Sequence, residues 1–96
     1  MDVSEHIRSQ VDSLPHKPGV YVMRRAGGTV VYVGKAIDLK NRVRTYFQPS
    51  SWADSKVKAI VSDVADLEFI VTDSELEALI LEANLIKQHR PRYNVR

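Results

Sequence analysis

The chain has 96 residues, a single-domain length, with 44% hydrophobic and 27% charged side chains, a balance that excludes disorder, a collagenous repeat and a large multi-lobed enzyme. It has no cysteine, which removes disulfides, thiolate zinc sites and a cysteine nucleophile, fits a cytoplasmic setting, and accompanies the lack of any apolar run near the ~18 residues of a membrane span. The net charge of +2 hides a segregation: residues 35–58 carry six basic and two acidic side chains, residues 59–86 seven acidic and no basic ones, and the tail 87–96 four basic ones.

Val3, Ile7 and Val11 fall at four-residue spacing and predict a short helix over 3–13, which the Leu14–Gly19 stretch with its two prolines ends. Val20–Arg25 and Thr29–Val33 are β-branched and aromatic runs around Gly27-Gly28 and read as a hairpin with a two-residue turn. Gly34–Ile37 reads as a loop, Asp38 as the cap of a helix through Phe47, and Gln48–Ser51 as its terminator. A further helix opens at Asp54 or Ser55 with the stripe Val57, Ile60, Val61 and Val64, and Leu67–Val71 reads as a third strand. Thr72 and Glu75 match a capping box for a last helix to about His89. The order α-β-β-α-α-β-α predicts an α+β domain, a small, largely antiparallel three-stranded sheet flanked by helices.

The two-residue turn sets Met23 opposite Tyr32 and Tyr21 opposite Gly34, so Tyr21 and Tyr32 share a face as diagonal neighbours. Gly34 then leaves room beside Tyr21 for a ligand to approach. Strand tyrosines also simply pack. Arg42 and Tyr46 stand one helical turn apart with Lys35 just before them. Such a group suits a phosphodiester, because arginine holds two phosphate oxygens and lysine offers a point charge. Nearby cations would favour the phenolate of a tyrosine; a surface Asp38–Arg42 pair with Arg42 stacked on Tyr46 is the alternative. The last helix has Leu76, Leu79, Ile80, Ala83 and Ile86 on one side and Leu81 and Leu85 on the other, which predicts burial between two layers. Glu82 lies in a narrow polar seam of that helix, where a carboxylate requires a divalent cation or a structural salt bridge. Trp52 reads as a partly buried anchor, and the three histidines form no recognisable metal spacing.

Gly19-Val20-Tyr21, ten residues, and Tyr32-Val33-Gly34 resemble the paired signature of the GIY-YIG nuclease superfamily, with valine in place of each isoleucine. Leu14-Pro15, Pro18-Gly19-Val20-Tyr21, the run VGKAIDLKNRVRTYF from Val33 and the stretch ELEALILEANLIKQHRPRYNV from Glu75 look like the amino-terminal endonuclease domain of the UvrC family of excision-repair nucleases. The resemblance implies one domain, 1–96, of a longer multidomain protein. It also implies metal-dependent hydrolysis of damaged double-stranded DNA on the 3′ side of a lesion, with UvrB as damage-loading partner and the domain itself a monomer. It makes Tyr32 the general base and Tyr21 its hydrogen-bonding companion, and sets Arg42 on the scissile phosphate with Lys35 and Tyr46 in support. Glu82 becomes the ligand of one Mg²⁺ or Mn²⁺, and Asn94 lies near the phosphate. Lys40 and Arg44 are expected to bind flanking substrate. Another structure-selective GIY-YIG nuclease, or a non-catalytic nucleic-acid-binding module on this fold, are the alternatives.

Overall fold

The computed structural model describes residues 2–94; of the expectations above, the tail base Arg96 and the last matched residue, Val95, lie outside them. The elements run α1 (Glu5–Asp12), β1 (Gly19–Arg24), β2 (Val30–Ala36), α2 (Leu39–Tyr46), a 3-10 turn (Pro49–Ala53), α3 (Ser55–Asp63), β3 (Asp66–Val71) and α4 (Glu75–His89). All strand pairs are antiparallel in the order β2-β1-β3, which puts the signature strand β1 at the centre.

The sheet separates two apolar layers because strand side chains alternate between faces. On one face Tyr21, Met23 and Val31 pack with Ile7 and Val11 of α1, Leu39 and Val43 of α2, and Ile60 and Val61 of α3. On the other, Val20, Val22, Val30 and Val33 receive α4 through Ala78, Leu81, Leu85 and Ile86. Ala78 is the buried residue of α4, and its small side chain lets the helix backbone approach the valines.

Side chains and the tail engage backbone groups at both sheet edges, at β3 only at its start. Gln10 of α1 accepts from the Leu67 N–H (2.9 Å) and donates to Asp66 (2.8 Å) at the β3 edge. At the β2 edge, the Tyr93 N–H donates to the Val31 carbonyl (3.0 Å). Asn94 accepts from the Val33 N–H (2.8 Å) and donates to the Val33 carbonyl (2.9 Å), so its amide replaces a neighbouring strand.

Four local expectations need correction. The hairpin turn has three residues, closed by Arg25 N–H to Thr29 O (3.0 Å). A bulge between Met23 and Arg24 then restores Met23↔Tyr32 and Tyr21↔Gly34, the same pairs a two-residue turn would give. Gly34-Lys35-Ala36 belong to β2 and not to a loop, because Gly19 and Val20 continue the pairing to Ala36 and Lys35. The α4 cap is Ser74, which accepts from the Glu77 N–H (3.1 Å), while Glu77 accepts from the Asp73 N–H (2.8 Å). The box moves two residues along because the Thr72 N–H is engaged by the Pro18 carbonyl (3.1 Å) and its hydroxyl by Ser74 O (2.8 Å). Finally, α4 covers one sheet face and is not buried between layers: Leu76, Leu79 and Ile80 are exposed.

Candidate active site

Three tyrosines from β1, β2 and α2 meet on the helix-rich face. Tyr21–Tyr32, Tyr21–Tyr46 and Tyr32–Tyr46 ring centroids lie 6.1, 5.8 and 6.2 Å apart, in tilted and edge geometries that favour aromatic pairing by about 1 kcal/mol each. The Tyr21 and Tyr46 hydroxyls are 2.8 Å apart, within hydrogen-bonding distance. Both residues are nearly closed off, at 1% and 5% exposure, whereas Tyr32 is half-buried. Tyr32 is therefore the phenol of the cluster that a ligand can meet.

Gly34 explains how the cluster closes. A Cβ at this position would overlap the Tyr21 ring and hydroxyl. The room expected for a ligand is filled by Tyr21 itself, so the glycine serves packing across the hairpin.

The α2 helix orients the cationic side of the site. Its cap, Asp38, accepts from the Asn41 N–H (3.0 Å) and pairs with His16 (3.0 Å). Asp38 does not pair with Arg42, which instead sets its guanidinium over the Tyr46 ring, 5.5 Å from the centroid. From α3, Lys56 places its Nζ 5.4 Å from the Tyr32 ring centroid. Lys56 was not among the residues singled out from sequence; its only signal was membership of the basic 35–58 segment, because a contact between separate elements has no local pattern.

Burial outweighs these cations. It raises the Tyr21 hydroxyl to about 12, against lowering by Tyr46 and Arg42. Burial likewise pushes Tyr32 well above the ordinary phenol value, with Tyr46 and the Glu82 carboxylate adding to the rise and Arg42 opposing it. Tyr46 is raised by burial and by Tyr21. The expected preference for phenolate is thus overturned in the free domain.

Glu82 is half-buried and near enough to Tyr32 to act on its ionisation. Among the described residues no three His, Asp or Glu side chains gather into a metal-holding group. A lone hard-oxygen donor fits a hydrated Mg²⁺, which commonly binds one or two carboxylates and keeps waters or substrate phosphate in its remaining positions.

Beside the cluster, Lys35 and Arg42 line a cleft of about 840 Å³ between the end of β2, the start of α2 and the first turns of α4. Lys40 is turned to the end of α1, donating to the Asp12 carbonyl (3.0 Å). Arg44 is exposed on α2, outside the cleft lining. Asn94 stands beside the site, with its amide engaged by Val33. Trp52 is a partly buried anchor, donating to the Tyr46 carbonyl (2.8 Å).

The sequence profile of the UvrC-like GIY-YIG domain matches residues 17–95. The chain belongs to the UvrC-like GIY-YIG domain family. It is 60% identical over 89 residues to UvrABC system protein C of Alkaliphilus oremlandii, covering 93% of this chain and 14% of that protein. It is 56% identical over 94 residues to the Clostridioides difficile protein of the same name, covering 98% of this chain and 15% of that one. The chain thus spans about a seventh of the length of these UvrC relatives. Among solved structures, the GIY-YIG N-terminal endonuclease domain of Thermotoga maritima UvrC, bound to its catalytic magnesium, superimposes with a TM-score of 0.86 at 46% identity. That match covers 96% of this chain and 99% of the Thermotoga domain. A tyrosine-to-phenylalanine form of the Thermotoga domain, also bound to the catalytic divalent cation, gives a TM-score of 0.86 at 45% identity. The three-stranded antiparallel sheet with its four helices is thus the GIY-YIG fold of UvrC.

Proposed function

We propose that this chain is a divalent-metal-dependent DNA endonuclease domain that hydrolyses one phosphodiester on the 3′ side of a lesion in nucleotide excision repair, loaded by UvrB onto damaged duplex. The observation that carries this reading is the convergence of an accessible phenol, Tyr32, with a guanidinium, Arg42, and an isolated carboxylate, Glu82.

Glu82 is the residue that holds the cation. The Thermotoga domain retains its cation when a tyrosine becomes phenylalanine, which supports a ligand other than that phenol. A bound Mg²⁺ or Mn²⁺ supplies positive charge that offsets charge developing on phosphate oxygens and eases ionisation of a neighbouring phenol or water.

Tyr32, once ionised to the phenolate, would take the proton from the attacking water as its oxygen joins phosphorus and the P–O bond to the leaving strand breaks, the leaving oxygen taking a proton from solvent. Arg42 grips the non-bridging oxygens, its guanidinium oriented by the Tyr46 ring, and Lys35 adds a point charge from the end of β2. Tyr21, closed off beneath them, fixes Tyr46 through the shared hydroxyl hydrogen bond. Asn94 holds Val33 and hence the strand that presents Tyr32. Lys40 and Arg44 extend the basic α2 surface toward phosphates farther along the strand.

The test is nicking of a lesion-bearing duplex in Mg²⁺ by the full-length protein with its loading partner. Wild type is expected to nick on the 3′ side. Glu82→Gln is expected to lose that nick with its melting temperature unchanged, and Tyr32→Phe to lose it while still binding DNA. A 3′ nick retained by either variant refutes the role assigned to that residue.

A further inference from the structure

We infer that the cleft beside Arg42 is a subsite for one nucleotide displaced from the base stack next to the cut phosphate. The inference rests on the nuclease reading above and adds a source of substrate selectivity within this domain.

The cleft is lined by two unlike kinds of side chain: Lys35 and Arg42 from β2 and α2, and Ile37, Leu76 and Leu79 from the β2–α2 link and α4. The three apolar side chains are 70%, 66% and 47% exposed. A nucleotide has the same division, an anionic phosphate and a flat, largely apolar base face. The volume of about 840 Å³ falls in the range of small-ligand pockets.

Charge sets the orientation. Asp38, at the cationic side, is committed to the Asn41 N–H and to His16. Glu75 lines the cleft from the first turn of α4, beside Leu76, and disfavours phosphate at the apolar end. Arg42 also lines the smaller recess that reaches Tyr46 and Ser51, so a phosphate held by Arg42 is continuous with the tyrosine cluster. The phosphate therefore lies toward the reacting centre, and its base meets Ile37 and Leu76.

Stacked bases gain little from such a wall because their neighbours already cover both faces. An extrahelical base has its faces in water and gains by burial. Isoleucine and leucine wedges inserted between base steps must themselves unstack the DNA, a cost that a base already extrahelical does not impose. The cleft thus selects distorted duplex irrespective of the chemistry of the lesion.

The probe is a fluorescein-labelled duplex with one extrahelical adenosine, compared with its fully paired counterpart by anisotropy in Ca²⁺ with the 96-residue chain. Wild type is expected to bind the bulged duplex about tenfold more tightly. An Ile37→Ser/Leu76→Ser variant, altered only at exposed positions and checked by its melting curve, is expected to lose that ratio. Its affinity for paired duplex and its salt dependence should stay unchanged, since the phosphate contacts remain. Equal wild-type binding to both duplexes, undetectable binding to the bulged one, or an unchanged ratio in the variant overturns the subsite. Nicking of a lesion-bearing duplex in Mg²⁺ by the full-length protein with its loading partner is scored separately, wild type against Glu82→Gln. A bulge preference without Glu82-dependent nicking fails the nuclease reading and leaves the subsite standing; nicking without the preference does the reverse.

Discussion

Replacing Gly34 with alanine tests whether packing across the hairpin holds the tyrosine cluster in place. An added Cβ would lie 2.8 Å from Tyr21 Cε1 and closer still to Cζ and the hydroxyl. Carbon atoms in contact prefer about 3.5–4.0 Å, so the ring must retreat by about 1.5 Å at its closest carbon, Cζ. Tyr21 is 1% exposed, and its hydroxyl already sits 2.8 Å from that of Tyr46; a retreat of that size breaks the hydrogen bond. Overpacking of this kind costs about 1–3 kcal/mol, and leaving two buried hydroxyls mismatched adds about 1 kcal/mol. A total near 3 kcal/mol lowers the melting temperature of a domain this size by about 12–24 °C. Gly34 does not require a left-handed backbone, so the effect is purely steric. In a Tyr21→Leu background the same alanine should be close to neutral, which a double-mutant cycle in thermal denaturation measures. Nicking by the Gly34→Ala single variant, assayed below its melting point, should fall by about tenfold or more. A single variant that melts within about 3 °C of wild type and cuts normally would refute the packing argument.

Three further outcomes follow from the same geometry. Because burial holds Tyr32 protonated at neutral pH, the phenolate fraction grows with pH, so log kcat/KM at saturating Mg²⁺ should rise with unit slope between about pH 6 and 8; a flat profile contradicts the base assignment. Asn94→Ala removes both bonds to the Val33 backbone and should cost about 1–2 kcal/mol, with faster amide exchange at Val33. Loss of nicking without either change would mean that Asn94 acts on substrate directly. Hydrogen bonding from Arg25 and Tyr93 holds the Asp63 carboxyl below its ordinary value. Its stabilisation is present above about pH 4 and lost as pH falls through the depressed value, so Asp63→Asn should melt lower at neutral pH and lose less on acidification.

How much could be read in advance divides along a physical line. Periodicity and turn chemistry located every helix and strand, and the hairpin register came out right although the turn did not. The bulge between Met23 and Arg24 offset the extra turn residue, and nothing in a run of valines marks where such a bulge falls. The α4 cap falls at Ser74 and not at the expected Thr72, although both have a glutamate three residues on. The choice is made by the Pro18 carbonyl, a contact across the fold. Leucines on both sides of α4 suggested two covering layers. The structure instead turns Ala78 into the sheet and leaves Leu76, Leu79 and Ile80 exposed. For the candidate site, hairpin register set Tyr21 and Tyr32 on one face and helical spacing set Arg42 beside Tyr46; that the two pairs meet was implied only by the family resemblance, since it depends on how α2 packs on the sheet. The position of Lys56 over Tyr32 and the turn of Lys40 toward Asp12 depend on tertiary packing and have no counterpart in local pattern.

The clearest disagreement between sequence reasoning and structure concerns the charge on the phenols, and it bears on how the site is controlled. Counting cations around Tyr32 predicts a lowered pKa. Counting the water removed by two other rings predicts a raised one, and the second effect prevails. In the free domain the proposed base is therefore a neutral phenol, held protonated by the packing that orients it. On the proposed mechanism, cutting requires substrate and cation to assemble beside Glu82 before Tyr32 can ionise and accept a proton. On that mechanism an undistorted duplex leaves the site incomplete, and an extrahelical nucleotide seated against Ile37 and Leu76 is the event that would complete it.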